Sequence, residues 1–176
     1  VLVGGGEPTL ASSFDWVVSA FGNAGFRLGL VTNGSRISES RAELLSRSCD
    51  WVRFSLDAGT GAEYARVHRP ADNTAFEKVL GSLRSLSKRA PGKVGVSFLL
   101  TPLNAHELSA AAAISKDCGA AHIRIRQSQN PKSGAYDALS GDTLAVCRTE
   151  LDKCRALDDE SFSCHVCGFL EEYLDT

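Results

Sequence analysis

The chain has 176 residues, 43% of them hydrophobic and 23% charged, and its 19 Lys and Arg against 21 Asp and Glu give a net charge of -2. This composition suits one globular domain and excludes a disordered chain, and the near balance of charge offers no broad electrostatic pull toward nucleic acid or an anionic membrane. No apolar run reaches the ~20 residues of a membrane span and no leader pattern is visible, so the expected compartment is the cytoplasm.

Short β-rich runs alternate with longer helical patterns, the signature of βα units and a parallel sheet. Residues 1–3, 27–32, 51–56, 93–100 and 122–126 read as strands. The first ends in Gly4-Gly5-Gly6-Glu7-Pro8, after which residues 10–24 carry Phe14, Val17, Val18 and Phe21 at helical spacing. Residues 73–88 draw another apolar stripe through Phe76, Val79, Leu80, Leu83 and Leu86, closed by Pro91-Gly92. Thr74 with Glu77, and Asn104 with Glu107, have the spacing of capping boxes. Beyond Asn130 the pattern changes: residues 139–157 read as a last helix, followed by a tail containing Cys164-His165-Val166-Cys167.

Polar and glycine-rich residues gather where each strand ends, and in parallel α/β proteins ligands sit at the carboxyl ends of strands. Three successive glycines let a backbone approach a ligand, and the carboxylate of Glu7 suits a cationic guest and repels a phosphate. A charge at the start of a helix explains Glu7 equally well, with Pro8 in the first turn. Thr32 and Ser55 offer hydroxyls that both donate and accept, although Thr32 can simply end a strand and Asn33-Gly34 is an ordinary turn pair. Asp57 is a ribose or substrate contact or a turn residue before Gly59 and Gly61; Asn104 is a cofactor contact or a helix cap. Arg124 and Arg126 share one strand face, so both can point toward a carboxylate while Ile123 and Ile125 face helices.

Taken in order, Gly5-Gly6-Glu7-Pro8, then Leu30-Val31-Thr32-Asn33-Gly34, then residues 52–60 with Tyr64 and His68, resemble the second, third and fourth strands of the radical SAM superfamily. Residues 96–100 ending near Asn104, and residues 123–126, are similar to that family's fifth and sixth strands. The resemblance implies a partial (β/α)6, TIM-like barrel of parallel strands over residues 1–138, truncated at its N-terminus, with a C-terminal helix and CxxC tail over 139–176. It further implies an oxidoreductase that cleaves S-adenosylmethionine reductively beside a [4Fe-4S] cluster. The 5′-deoxyadenosyl radical so formed takes hydrogen from a substrate that the sequence does not name, a peptide being one candidate. Implied cofactor contacts are Gly5, Gly6, Glu7, Pro8, Thr32, Asn33, Ser55, Asp57, Asn104, Arg124 and Arg126, with the methionyl ammonium at the glycines and Glu7. Flavodoxin or ferredoxin is the implied electron donor.

The family's C-x3-C-x2-C ligand set is absent from these residues, so the cluster ligands are expected upstream of Val1 and this fragment alone is expected to be inactive. Six cysteines without a secretory context favour thiols or metal ligands over disulfides. Cys164 and Cys167 form a CxxC pair that could contribute to zinc or an auxiliary iron-sulfur cluster, though two ligands do not complete a site. The alternatives are a non-redox module binding S-adenosylmethionine or a nucleotide, and an inactive barrel scaffold with a metal-binding tail.

Overall fold

The computed structural model describes residues 1–129, 132–136 and 138–167. After a 3-10 turn at Pro8–Leu10, the chain runs α1 (Phe14–Asn23), β1 (Gly29–Thr32), α2 (Glu39–Ser48), β2 (Trp51–Ser55), α3 (Gly61–His68) and α4 (Ala75–Arg89). It continues through β3 (Val94–Leu100), a second 3-10 turn at Ala105–Glu107, α5 (Leu108–Asp117), β4 (His122–Gln127), α6 (Gly141–Arg155) and β5 (Ser163–Cys167). The strands form one parallel sheet in the order β1-β2-β3-β4-β5. A strictly sequential order built from right-handed crossovers winds in one direction only, which places the connecting helices on one face as in a TIM-type barrel.

Burial follows from that winding. Leu30, Val52, Phe54, Val96, Phe98, Ile123 and Ile125 point to the helix face and are buried, together with the whole expected stripe of α4. On the opposite, inner face, Trp51, Arg53, Ser55, His122 and Arg124 are only partly covered. β2 and β4 therefore alternate buried and half-exposed residues, as one-sided coverage requires.

Four expected strands lie within two residues of β1 to β4. The run at residues 1–3 is reduced to one parallel bridge, in which Leu2 N donates to Gly29 O and Val31 N donates to Leu2 O. The CxxC tail is not a tail within the described residues, because Ser163–Cys167 pairs with β4 as an edge strand of the same sheet; residues 168–176 lie outside the described residues. α2 has no strong apolar stripe, burying only Ala42 and Leu45, and is held at its start by Ser38 Oγ, which accepts from Arg41 N at 3.3 Å. The expected capping box at Thr74 does not form; Asp72 Oδ1 instead accepts from Thr74 N and Thr74 Oγ1. Phe21, expected on the packed stripe of α1, is 42% exposed and meets Phe26 edge to face, leaving Phe14 and Val18 as the buried contacts.

One close approach locks the loop after β2 onto α5. A Cβ placed on Gly59 would lie 2.4 Å from Ala110 Cβ and 2.5 Å from the backbone nitrogen of Ala111, neither of which can move aside easily. Gly59→Ala is therefore expected to destabilise the protein by ~2 kcal/mol or more in urea unfolding, the range of overpacked sites. An unchanged midpoint would mean that the loop is not seated against α5.

Candidate functional site

The loops that follow the strands form a polar rim, and Glu7 anchors one end of it. Thr9 N at 3.1 Å and Thr9 Oγ1 at 2.6 Å donate to its Oε1, and Thr32 Oγ1 from the end of β1 donates to the same oxygen at 2.6 Å. Asn33 N donates to Oε2 at 2.7 Å. Bonds to an ionised acceptor are the strong ones, so this carboxylate clamps the glycine loop to the end of β1. Glu7 is thus bound by the chain's own donors, which also satisfies the alternative that it caps the turn beginning at Pro8. Asn33 Oδ1 accepts from Ser35 N at 2.9 Å and so closes the turn.

Gly4, Gly5 and Gly6 stand exposed beside this clamp. None has a positive φ, and a Cβ on Gly5 or Gly6 would meet nothing within 4 Å. Neither a special turn nor internal crowding requires glycine at these two positions.

The second part of the rim joins β2 to β3. Asp57 has a left-handed φ of 55°, and its Oδ1 accepts from Leu99 N at 2.6 Å. Its other oxygen lies 3.6 Å from His68 Nε2, which donates to Leu56 O at 2.9 Å; the His68 ring stacks on Tyr64. Burial pushes the Asp57 carboxyl above its ordinary range, against the opposing pull of the Leu99 N–H, His68 and Arg126. Asn104 is buried, donates through Nδ2 to Asp57 O and Leu99 O at 3.0 Å each, and accepts at Oδ1 from Thr101 N and Thr101 Oγ1. It makes no side-chain cap to the following turn, contrary to the spacing with Glu107. Glu107 instead reaches back, accepting from Gly59 N and Thr60 Oγ1.

Ser55, Ser97 and Arg124 sit at one register level on the inner face, with Arg126 one step nearer the rim. Arg124 Nε donates to Cys167 Sγ at 2.8 Å. Leu99, Arg124, Arg126, Gln127, Tyr136 and Cys167 line a cleft of about 410 Å³ at the carboxyl ends of β3 to β5. A larger groove of about 660 Å³ lies between residues 35–41 and α4, away from this face.

The two CxxC thiols diverge, because positions three apart on a strand face opposite sides. Cys167 is on the inner face with Arg124, whereas Cys164 packs against the helix-side core, where the buried Cys154 thiol is its neighbour. They do not converge on one ion, and no group of three or more His, Cys, Asp or Glu that could hold a metal occurs among the described residues. Sequence reasoning also passed over Arg53 and His122. Their alternation with Ser55 and Arg124 was the available signal, and it becomes informative only once the uncovered face is known.

A family model for the radical SAM superfamily matches residues 1–113, and the chain belongs to that superfamily. It is 34% identical over 65 residues to an S-adenosylmethionine-dependent nucleotide dehydratase of Thermoplasmatales archaeon (strain ISO4-H5), covering 37% of this chain and 24% of that protein. It is 26% identical over 147 residues to a UPF0026 protein of Helicobacter pylori, covering 81% of this chain and 47% of that protein. The chain therefore spans about half or less of the length of these curated relatives. Among solved structures, Streptococcus suis SuiB bound to S-adenosylmethionine superposes with a TM-score of 0.66 at 13% identity, over 93% of this chain and 38% of that one. A domain of pyruvate-formate lyase-activating enzyme from Bacteroides vulgatus superposes with a TM-score of 0.67 at 13% identity, over 96% of this chain and 98% of that one. At such identities these two likenesses concern the fold.

Glu7→Ala is expected to leave the Thr32 hydroxyl and Asn33 N–H without their acceptor and to destabilise the loop by ~1–3 kcal/mol. Hydrogen exchange at Asn33 should quicken accordingly; unchanged protection would remove Glu7 from the clamp. A raised Asp57 pKa means that its protonation favours the folded state: the contribution is complete below the unfolded value of ~3.9 and is lost as pH rises through the folded value. Asp57→Asn, which can keep the bond from Leu99 N, should flatten that part of the stability-pH curve in denaturant titrations without lowering stability at neutral pH.

Proposed function

We propose that this chain forms the S-adenosylmethionine-binding core of a radical SAM enzyme. The observation that carries the proposal is the pair Gly5 and Gly6, exposed and uncrowded beside the Glu7 clamp, in a chain belonging to this superfamily. An ammonium group has three donors, and the carbonyls of a bare glycine loop are acceptors it can reach without a side chain in the way. Glu7 holds that loop in place and keeps negative charge beside it, while Pro8 fixes the chain's exit. Thr32, Asn33 and Ser55 border the same rim, and Arg126 stands at the end of β4 where a methionyl carboxylate would find a cation. Asp57 and Asn104 act on this reading by setting the shape of the β2 and β3 loops.

When bound, S-adenosylmethionine and a reduced [4Fe-4S] cluster supply a 5′-deoxyadenosyl radical for hydrogen abstraction from substrate. The described residues fit the first of these groups and bring together no ligand set for the second. Their part is to bind and orient S-adenosylmethionine and to shield one side of it from water. The CxxC geometry gives no support for a metal held by Cys164 and Cys167 together. A flavodoxin- or ferredoxin-type donor in the cytoplasm accords with this chemistry, and no helix among the described residues is long and apolar enough to cross a membrane.

The test uses the absence of crowding. Gly6→Val should leave the unfolding free energy from urea titration within ~0.5 kcal/mol of the parent, as for surface substitutions without a structural role. Affinity for S-adenosylmethionine by calorimetry should fall by roughly tenfold or more, the equivalent of ~1.4 kcal/mol. Equal affinity in the two proteins, or no binding by the parent, would overturn the proposal.

A further inference from the structure

The inner face carries more positive charge than the rim uses. Arg53 and His122 flank Gly95 at one register level, Arg124 is one level nearer the strand ends, and Arg126 one level beyond. A Cβ on Gly95 would lie 2.2 Å from His122 Nε2, so the imidazole lies flat across β3 toward the strand that bears Arg53. Arg53 stacks over the Trp51 ring with its Cζ 4.9 Å from the centroid. Stacking occupies the flat faces of a guanidinium and leaves its N–H edge free to bind. Its Nε is buried without a hydrogen-bond partner among the described residues. Such an orphaned donor on a fixed fork is one half of a bidentate pair with an oxyanion.

The neighbours reinforce this account. Burial, then Arg124 and Arg126, hold the Arg53 pKa below its ordinary value, with Cys167 opposing them. Burial, then Arg53, His165 and Arg124, hold the His122 imidazole below its own. Asp57, at the rim, faces Arg126 and His68 and is itself held by the Leu99 N–H. A cluster of like charges bearing an unpaired donor is relieved by an anion.

We propose that the face formed by Arg53, His122 and Arg124, with the hydroxyls of Ser55 and Ser97 beside it, binds an oxyanion group of the enzyme's substrate, a phosphate or carboxylate. The proposal rests on the assignment of the rim to S-adenosylmethionine, which places the substrate deeper on the same face. The two sites border one another at Ser55 but centre on different residues, Gly5 and Gly6 on the rim and Arg53 deeper on the face, so each can be lost without the other.

The test is titration of the 176-residue chain with pyrophosphate and with citrate at constant ionic strength in chloride, by calorimetry, with S-adenosylmethionine affinity measured in parallel. At least one anion should bind at concentrations up to about 5 mM, the weak-ligand range. Arg53→Gln should weaken that binding by roughly tenfold or more, as expected for loss of a charge-assisted bidentate contact. Arg27→Gln, which removes an equal charge at a 90% exposed position, should leave it within about twofold, as screening at an exposed site implies. Preference for pyrophosphate assigns a phosphate-bearing substrate and preference for citrate a carboxylate-bearing one. Absence of binding by either anion overturns the proposal, as does an equal loss in Arg53→Gln and Arg27→Gln. Anion binding without S-adenosylmethionine binding overturns the assignment of the rim and leaves the oxyanion site standing. Should Arg53→Gln fail to fold, NMR titration of the parent decides: the His122 pKa should rise with saturating anion, and an unchanged value refutes the site.

Discussion

The strands run in order across one parallel sheet, and from that single constraint the rest of the molecule follows. Right-handed crossovers that always step the same way place the connecting helices on one side, so half of every strand is sealed and the other half is not. The sealed half is apolar from Leu30 to Ile125 except at the strand ends, where Thr32 turns its hydroxyl to Glu7. The open half can hold Arg53, His122 and Arg124 because water or a ligand reaches them; beneath helices the same residues would impose a large desolvation cost. Parallel strands also end together, so the loops bearing Glu7, Asp57 and Asn104 meet at one rim.

At that rim, polar side chains chiefly serve the backbone. A strand end leaves N–H and C=O groups without a ladder partner, and each needs one if it is buried. Glu7 receives Asn33 N, Asp57 receives Leu99 N, Asn104 bridges Asp57 O and Leu99 O, and Glu107 receives Gly59 N. The loops are thereby shaped by the chain's own hydrogen bonds, and in the proposed function contact with a guest falls to bare backbone and to cations farther down the sheet. Preorganisation of this kind lowers the ordering cost of binding.

The elements legible in the sequence were those with strong local patterns. The α4 stripe and β2 to β4 could be read because burial on one side imposes a period of 3.6 or 2. α2 could not, since ESRAELLSRS buries only Ala42 and Leu45. β5 escaped notice because Ser163–Cys167 is a short edge strand whose most visible feature, CxxC, suggested metal chemistry; only its pairing with β4 sends the two thiols to opposite faces. The capping roles expected of Thr74 and Asn104 failed for a related reason. A side chain that can cap has other partners within reach: the local Asp72 carboxylate takes Thr74 two residues on, and tertiary contacts give Asn104 the β2 and β3 ends.

By itself, then, the sequence determined the parallel α/β class and the ordered set of strand-end motifs that identify the superfamily, because both are written in local spacing. It also determined the glycine run itself, though not why it is there. Tertiary structure alone decided that Gly5 and Gly6 are uncrowded, that Glu7 is a clamp, and that Arg53 and His122 lie side by side across Gly95. Those are facts about residues 25 to 69 positions apart, and register and close approach across a sheet have no signature in any short stretch of chain.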